Sequence, residues 1–291
     1  MSLSTLSVVG RRPSATRIAV TSGKGGVGKT SLTVNLGVAM ARLGHRVGIL
    51  DADFGLGNID VMLGLTPAAH LGSVLDGTTR VRDITLEGPS GIRVIPAGSG
   101  VRALTTLDDS RWARLVEAVE DSSRDLDFLL FDTATGISDN VLDVIGLADY
   151  VLVITSFEPA AVVDAYALIK LVTAADINKP IGVVVNAARD AAEGELVFRQ
   201  ISLAADRFLR RELRYDGHVL EDKALKDGSL AQTPITGGQS AGPASRDIKR
   251  LASRLSAARP PAPGVKASPV LQIVPPQPAG AESSPLSSPW A

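Results

Sequence analysis

One stretch of the chain gathers the residue types that bind phosphate: Gly23, Lys24, Gly25, Gly26, Val27, Gly28, Lys29 and Thr30, in that order. The spacing fits G-x-x-x-x-G-K-[ST], a phosphate-binding loop. Glycines at these places let the backbone turn tightly and aim consecutive N–H groups into one concave anion site. Lys29 is spaced to reach β- and γ-phosphates and the Thr30 hydroxyl to ligate Mg²⁺, with Ser31 following in the same cradle. Phosphoryl transfer also needs a metal ion and a positioned water, and three aspartates could supply both. Asp132, at the tip of an apolar run, fits a Walker B acid in the Mg²⁺ sphere, and Asp51 would support that sphere from a neighbouring strand. Asp53 is the candidate for orienting or deprotonating the attacking water. Gly136 has no side chain, so its N–H could come close enough to sense a γ-phosphate.

These residues need elements to hold them. Residues 17–21 read as a short buried strand before the loop, and 31–43 as a helix with Leu32, Leu36, Ala39, Met40 and Leu43 on one face. The helix N-terminus would add its positive dipole end to the phosphates. Residues 45–51 read as a second buried strand, so a βαβ unit with parallel strands is expected. Asp51 and Asp53 then sit at a strand's C-terminal end, where open α/β sheets bind ligands. Residues 54–65, with Gly55, Gly57, Asn58 and Asp60, look like a mobile segment. Further strands are expected at 92–96, 128–132, 150–155, 180–186 and 214–220. Residues 133–136 read as a turn, and Ser138 as an N-cap for a helix over 139–147. Other helices are expected at 108–120, 160–174, 194–211 and 244–257. The alternation predicts an α/β fold with a doubly wound, mostly parallel sheet flanked by helices.

Of the 291 residues, 45% are hydrophobic and 4% aromatic, enough for one large α/β domain or two small ones with a core mostly of Val, Leu, Ile and Ala. The net charge of −1 gives no global field toward nucleic acid or an anionic membrane. No apolar run has the length of a membrane span. With no cysteine there is no disulfide or thiolate metal site, which fits a cytosolic protein. Residues 1–16 read as a loose arm with no secretory core, 17–258 as the folded domain, and 259–291 as a disordered tail. The tail holds nine of the seventeen prolines, and Val270 to Val274 form its one apolar cluster, a slack linker or a docking peptide.

The run K-G-G-V-G-K-T places a second lysine, Lys24, directly after the first glycine. It resembles the deviant Walker A motif of the MinD/ParA class, P-loop NTPases in which this lysine reaches across a dimer to the other subunit's nucleotide. The later motifs D-A-D-F-G-L-G-N-I-D-V-M-L-G, F-D-T-A-T-G-I-S and A-Y-A-L-I-K-L-V are similar to those of the flagellar-number regulators of the FlhG/FleN type, over most of residues 17–258. The resemblance implies ATP and Mg²⁺ as ligands, slow partner-stimulated ATP hydrolysis and an ATP-dependent homodimer that sets the number or placement of flagella. Asn186 matches the family's adenine-contacting position, although Ala187 and Ala188 follow where a larger or basic residue is common. Glu221-Asp222 sits where MinD has I-P-E-D, with Leu220 replacing the proline. Partners implied are an FlhF-type GTPase, flagellar rotor proteins or a flagellar transcription regulator. Residues 1–16 carry nothing like the glutamine-and-leucine motif by which such regulators stimulate FlhF. The location implied is cytoplasmic, or peripheral at the membrane or cell pole.

Rival readings have their own requirements. A ParA-like partition ATPase riding on DNA would need a basic surface stripe, which a neutral chain does not advertise. Cluster-handling relatives use cysteines, and the tyrosine-kinase branch a tyrosine-rich tail, and this chain has neither. A scaffold that no longer hydrolyses ATP would not need Lys24, Lys29, Thr30, Asp53 and Asp132 together. The last helix sets Ile248, Leu251, Ala252 and Leu255 opposite Arg246, Lys249, Arg250 and Arg254. That pattern suits a helix packed on the sheet better than a membrane-lying one.

Overall fold

The computed structural model describes residues 14–98, 107–238 and 242–258. In chain order the strands are β1 (Thr16–Ser22), β2 (Val47–Ala52), β3 (Leu86–Glu87), β4 (Arg93–Ile95), β5 (Phe128–Thr135), β6 (Tyr150–Thr155), β7 (Ile181–Ala188) and β8 (Arg214–Leu220). The helices are α1 (Lys29–Arg42), α2 (Ile59–Met62), α3 (Leu71–Leu75), α4 (Val81–Ile84), α5 (Asp109–Ser123), α6 (Asp139–Gly146), α7 (Pro159–Ala175), α8 (Ala191–Leu209), α9 (Lys223–Leu230) and α10 (Pro243–Ala257). The eight strands form one sheet in the order β3-β4-β2-β5-β1-β6-β7-β8. Every pairing is parallel except β3 with β4. This is the doubly wound architecture that the alternation of elements predicts.

The central strands are buried on both faces, which is why they read as unbroken apolar runs rather than alternating ones. One face is covered by α1 and α10, through Leu32, Leu36, Met40, Ile248 and Leu251. The other is covered by α5 to α8, through Leu115, Val144, Leu168, Val197 and Ile201. The chain leaves β1 for β2 on one side and reaches β6 on the other, so β1 lies at the reversal of strand order, where such sheets open a ligand crevice.

Several boundaries move. Ala15 and Thr16 belong to the fold, Ala15 as a buried residue and Thr16 as the first of β1, so the expected N-terminal arm is shorter than 1–16. The rest of that arm and the 259–291 tail lie outside the described residues. β5 runs on to Thr135 where a turn is expected, because Thr133 and Thr135 continue the ladder against β2 and β1. Ser138 occupies the N-cap of α6 but makes no side-chain cap bond. The 54–65 segment is anchored rather than loose: Phe54 and Ile59 are buried, and the Ile59 N–H donates to Asp51.

The apolar face of α10 is occupied. Ile248 and Ala252 are fully buried against α1 and β8, and Asp247, also buried, accepts the Leu220 N–H at 3.0 Å. Among the described residues no helix is long and apolar enough to cross a membrane. If α10 is an integral part of the core, Ile248→Ala should destabilise the protein by about 2–5 kcal/mol, as other large-to-small changes at fully buried sites do. Urea unfolding followed by circular dichroism reads this, and an unchanged midpoint would mean α10 packs too loosely to matter.

Candidate functional site

The site begins with the backbone between β1 and α1. Gly26 and Gly28 have φ of 81° and 86°, in the region where side chains are strained, and a Cβ on Gly28 would overlap the Asn186 amide. Gly28 is the N-cap of α1 and offers no side-chain cap, so the first N–H groups of the helix stay open to an anion. Val27 packs inward, and its carbonyl accepts the Asn186 Nδ2–H at 2.7 Å. Asn186 is buried at the end of β7, and its Oδ1 has no hydrogen-bond partner. An orphaned acceptor beside the loop is what an exocyclic amine of a purine base would satisfy.

Lys29 lies inside the protein. Its Nζ donates to Asp132 Oδ1 at 2.9 Å and to Thr30 Oγ1 at 3.3 Å, with the two members of the ion pair 5% and 1% exposed. Asp132 sits on β5 directly opposite Asp51 on β2. A second buried carboxylate therefore lies beside the Lys29–Asp132 pair. The carboxyl of Asp51 is pushed up to about 7, first by burial and then by the charge of Asp132. The N–H groups of Ile59 and Asp53, bonded to its two oxygens, and the Lys29 charge pull the other way. Among the described residues no group of three or more His, Cys, Asp or Glu could hold a metal. The donors here are two carboxylates and the Thr30 hydroxyl, hard oxygens that suit Mg²⁺ completed by water and phosphate oxygens.

The other expected residues are placed as follows. Ser31 Oγ lies 3.3 Å from Ser229 Oγ on α9. Gly23 has no room for a side chain, since a Cβ would overlap the backbone carbonyl of Asp164, and Gly25 lies against Thr135. Lys24 reaches Glu158, the residue before α7, and forms an ion pair with it inside its own chain. Asp53 Oδ1 accepts the Leu56 N–H at 3.0 Å and closes its own turn. Gly136 is bonded within its own sheet. Its N–H donates to the Ser22 carbonyl at 2.9 Å, continuing the β1–β5 connection, and is not available to sense a phosphate while that bond stands.

Two contributors, Thr33 and Glu158, were not picked out from sequence, and a third, Asp222, only as part of a motif match. Thr33, fully buried, donates to the Lys29 carbonyl at 2.9 Å and approaches Asp132 Oδ1 at 3.0 Å. Its position one turn after Lys29 on α1 was the available signal. Glu158 is far from Lys24 in the chain, and nothing local marks it. Asp222 Oδ1 caps α9 at the Ala224 N–H while its Oδ2 receives the Ala244 N–H, tying α9 to the start of α10.

Comparison with known proteins shows what the chain as a whole is similar to. A ParA family model, described as NUBPL iron-transfer P-loop NTPase, matches residues 14–203. The antiactivator FleN of Pseudomonas aeruginosa is 41% identical over 238 residues, which are 82% of this chain and 85% of that one. The flagellum site-determining protein YlxH of Helicobacter pylori is 31% identical over 211 residues, 72% of this chain and 71% of its own. Among solved structures, the MinD cell division protein of Aquifex aeolicus superposes with a TM-score of 0.67 at 30% identity, over 84% of this chain and 97% of its own.

The raised Asp51 carboxyl has a measurable consequence in the protein without nucleotide. Between its ordinary value of 3.8 and about 7, the folded chain holds a proton that the unfolded chain has released. Stability should therefore fall as pH rises through that window. Urea midpoints at about pH 5 and about pH 8 should differ in that direction, and Asp51→Asn should bring them together. An unaltered difference in the mutant would place the pH dependence elsewhere.

Proposed function

Because the chain belongs to the ParA/MinD family of P-loop NTPases, we propose that it is a MinD-like ATPase that cycles between a monomer and an ATP-bound dimer and so regulates the number or placement of flagella. The observation that carries the flagellar assignment is the 41% identity to FleN, spread over more than four fifths of both chains. The likeness to YlxH points the same way. The iron-transfer description of the family model finds no support in the residues, since the chain has no cysteine to carry iron or a cluster. Its partners would be an FlhF-type GTPase, flagellar rotor proteins or a flagellar transcription regulator.

The residues suggest how ATP is handled. The loop N–H groups and the N-terminus of α1 cradle the phosphates. Lys29 turns from Asp132 to the β- and γ-phosphates. The orphaned Asn186 Oδ1 accepts from the adenine amine. Mg²⁺, held by Thr30 and Asp132 with Asp51 behind them, would supply neutralisation of the charge that builds on the phosphate oxygens. Asp53 orients the attacking water once its loop is drawn toward the site. Lys24 leaves Glu158 and reaches the γ-phosphate of a second subunit, acting in trans as an arginine finger does. The Lys24–Glu158 pair is exposed, with Glu158 more than half accessible, so breaking it costs little.

Two measurements test this reading. Lys29→Ala should abolish ATP binding in isothermal titration with Mg²⁺, and near-native affinity would sink the phosphate-loop assignment. Asp53→Ala should keep ATP while turnover drops about 10²–10⁴-fold. In that hydrolysis-blocked background light scattering should find a dimer with ATP and a monomer with ADP. Adding Lys24→Ala should return the ATP form to monomer. A dimer that persists without Lys24, or that forms equally with ADP, would end the switch reading.

A further inference from the structure

We propose that Thr33 is a positioning residue for Asp132, holding the carboxylate in place when Lys29 leaves it. The proposal rests on the ATPase reading above. The Thr33 hydroxyl carries one proton and faces two acceptors at nearly equal distance, its own helix carbonyl at Lys29 (2.9 Å) and Asp132 Oδ1 (3.0 Å). Asp132 Oδ1 in turn has two possible donors within reach, Lys29 Nζ and Thr33 Oγ1. Both side chains and Asp132 are buried, so water does not compete for these places.

When Lys29 turns to a phosphate, Asp132 loses its ammonium while Asp51 remains beside it on the next strand. A buried carboxylate left next to another carboxylate would swing away or take up a proton. Thr33 can prevent this without moving its backbone. Its proton turns from the Lys29 carbonyl to Asp132 Oδ1, since either acceptor is within reach of one χ1 well. Asp132 would then remain placed to hold Mg²⁺ when the ion is bound. Second-layer hydrogen bonds of this kind orient metal-site carboxylates, and their loss usually lowers metal affinity by about 10–100-fold.

A hydroxyl bonded to the carbonyl one turn back is also an ordinary helix feature, so the test must separate positioning from packing. In the full chain, a fluorescent ATP analogue is titrated first without divalent ions and then with increasing Mg²⁺, for the parent, Thr33→Val and Thr33→Ser. The parent and Thr33→Ser should tighten on the nucleotide at the same Mg²⁺ concentration. Thr33→Val should bind the nucleotide normally without Mg²⁺ but need about 10-fold more Mg²⁺ to tighten. Thermal melting checks folding, and Thr33→Ala takes the place of Thr33→Val, with the same expectations, if the valine variant does not fold. A parental Mg²⁺ midpoint in the hydroxyl-free variant overturns the proposal. So does a serine variant as impaired as the valine one, which would make the methyl group the useful part. A hydroxyl-free variant that loses Mg²⁺-free affinity to the same extent would place Thr33 in the loop's own packing and also overturns it. A parent that binds no nucleotide at all sinks the ATPase reading itself, whereas a normal parent with an unaffected variant sinks only the role of Thr33.

Discussion

The buried pair of Lys29 and Asp132 sets the terms for everything around it. Taking an ammonium and a carboxylate out of water costs several kcal/mol each, and the attraction recovers this only with good geometry and additional hydrogen bonds. The extra bonds are present: Thr30 and Thr33 approach the two charged ends. Asp51, on the neighbouring strand, then adds a second negative charge that one lysine cannot balance, and the protein answers by raising its proton affinity. A centre with two carboxylates and one ammonium is short of positive charge. Bringing phosphate to Lys29 makes the deficit worse at the carboxylates, and a divalent cation repairs it. On the ATPase reading, nucleotide and metal would therefore be coupled by charge balance before any detail of coordination is considered.

The same shortage explains why the 53–59 backbone is drawn in. Asp51 spends both oxygens on N–H groups of Asp53 and Ile59. This keeps Asp53 near the site but engaged with its own turn, and it buries Ile59 in the core face shared with α1. Any redistribution of charge at Asp51 and Asp132 is thus felt first by the loop that carries Asp53. An arrangement of this kind ties loop position to site occupancy through two hydrogen bonds, with no need for a long-range path.

The phosphate loop, the doubly wound sheet and the acids at the strand ends were legible in the sequence because each has a local signature: a fixed glycine–lysine spacing, apolar runs bounded by turns, and a carboxylate closing a run. The short helices α2 to α4 and the two-residue β3 were not, since four or five residues cannot establish a period and Gly and Pro interrupt them. The segment around Gly55 and Gly57 looked mobile because its anchors, Asp51 and Ile59, act through backbone N–H groups that side-chain patterns do not report. Gly136 presents its backbone in another way. Its φ of 96° does require glycine, but the N–H so presented is used by Ser22. Contacts such as Lys24 with Glu158 join positions 134 residues apart, and no local pattern could pair them.

Helix α1 departs from a simple amphipathic pattern at the end nearest the phosphate loop. Beyond Lys29 and Thr30, its first two turns hold Ser31, Thr33 and Asn35, where a core helix would carry only apolar residues on the inner side. Each faces a different element. Thr33 faces Asp132 on β5, Ser31 meets Ser229 on α9, and Asn35 receives the Thr236 N–H through its side chain and the Thr236 hydroxyl through its carbonyl. The segment holding Ser229 and Thr236 also bonds through Gln232 to the carbonyl of Val61 in α2, beside the Asp53 loop. One helix thus touches the metal-side carboxylate and, through α9 and its following loop, the segment that carries Asp53. A buried polar group is tolerated only with its partner in place, so these bonds hold the three segments in one register. Displacing α1 by even part of a turn would break all of them together. The N-terminal half of α1 is therefore the rigid part of the site, and on the ATPase reading the Lys29 side chain is the part that would exchange partners.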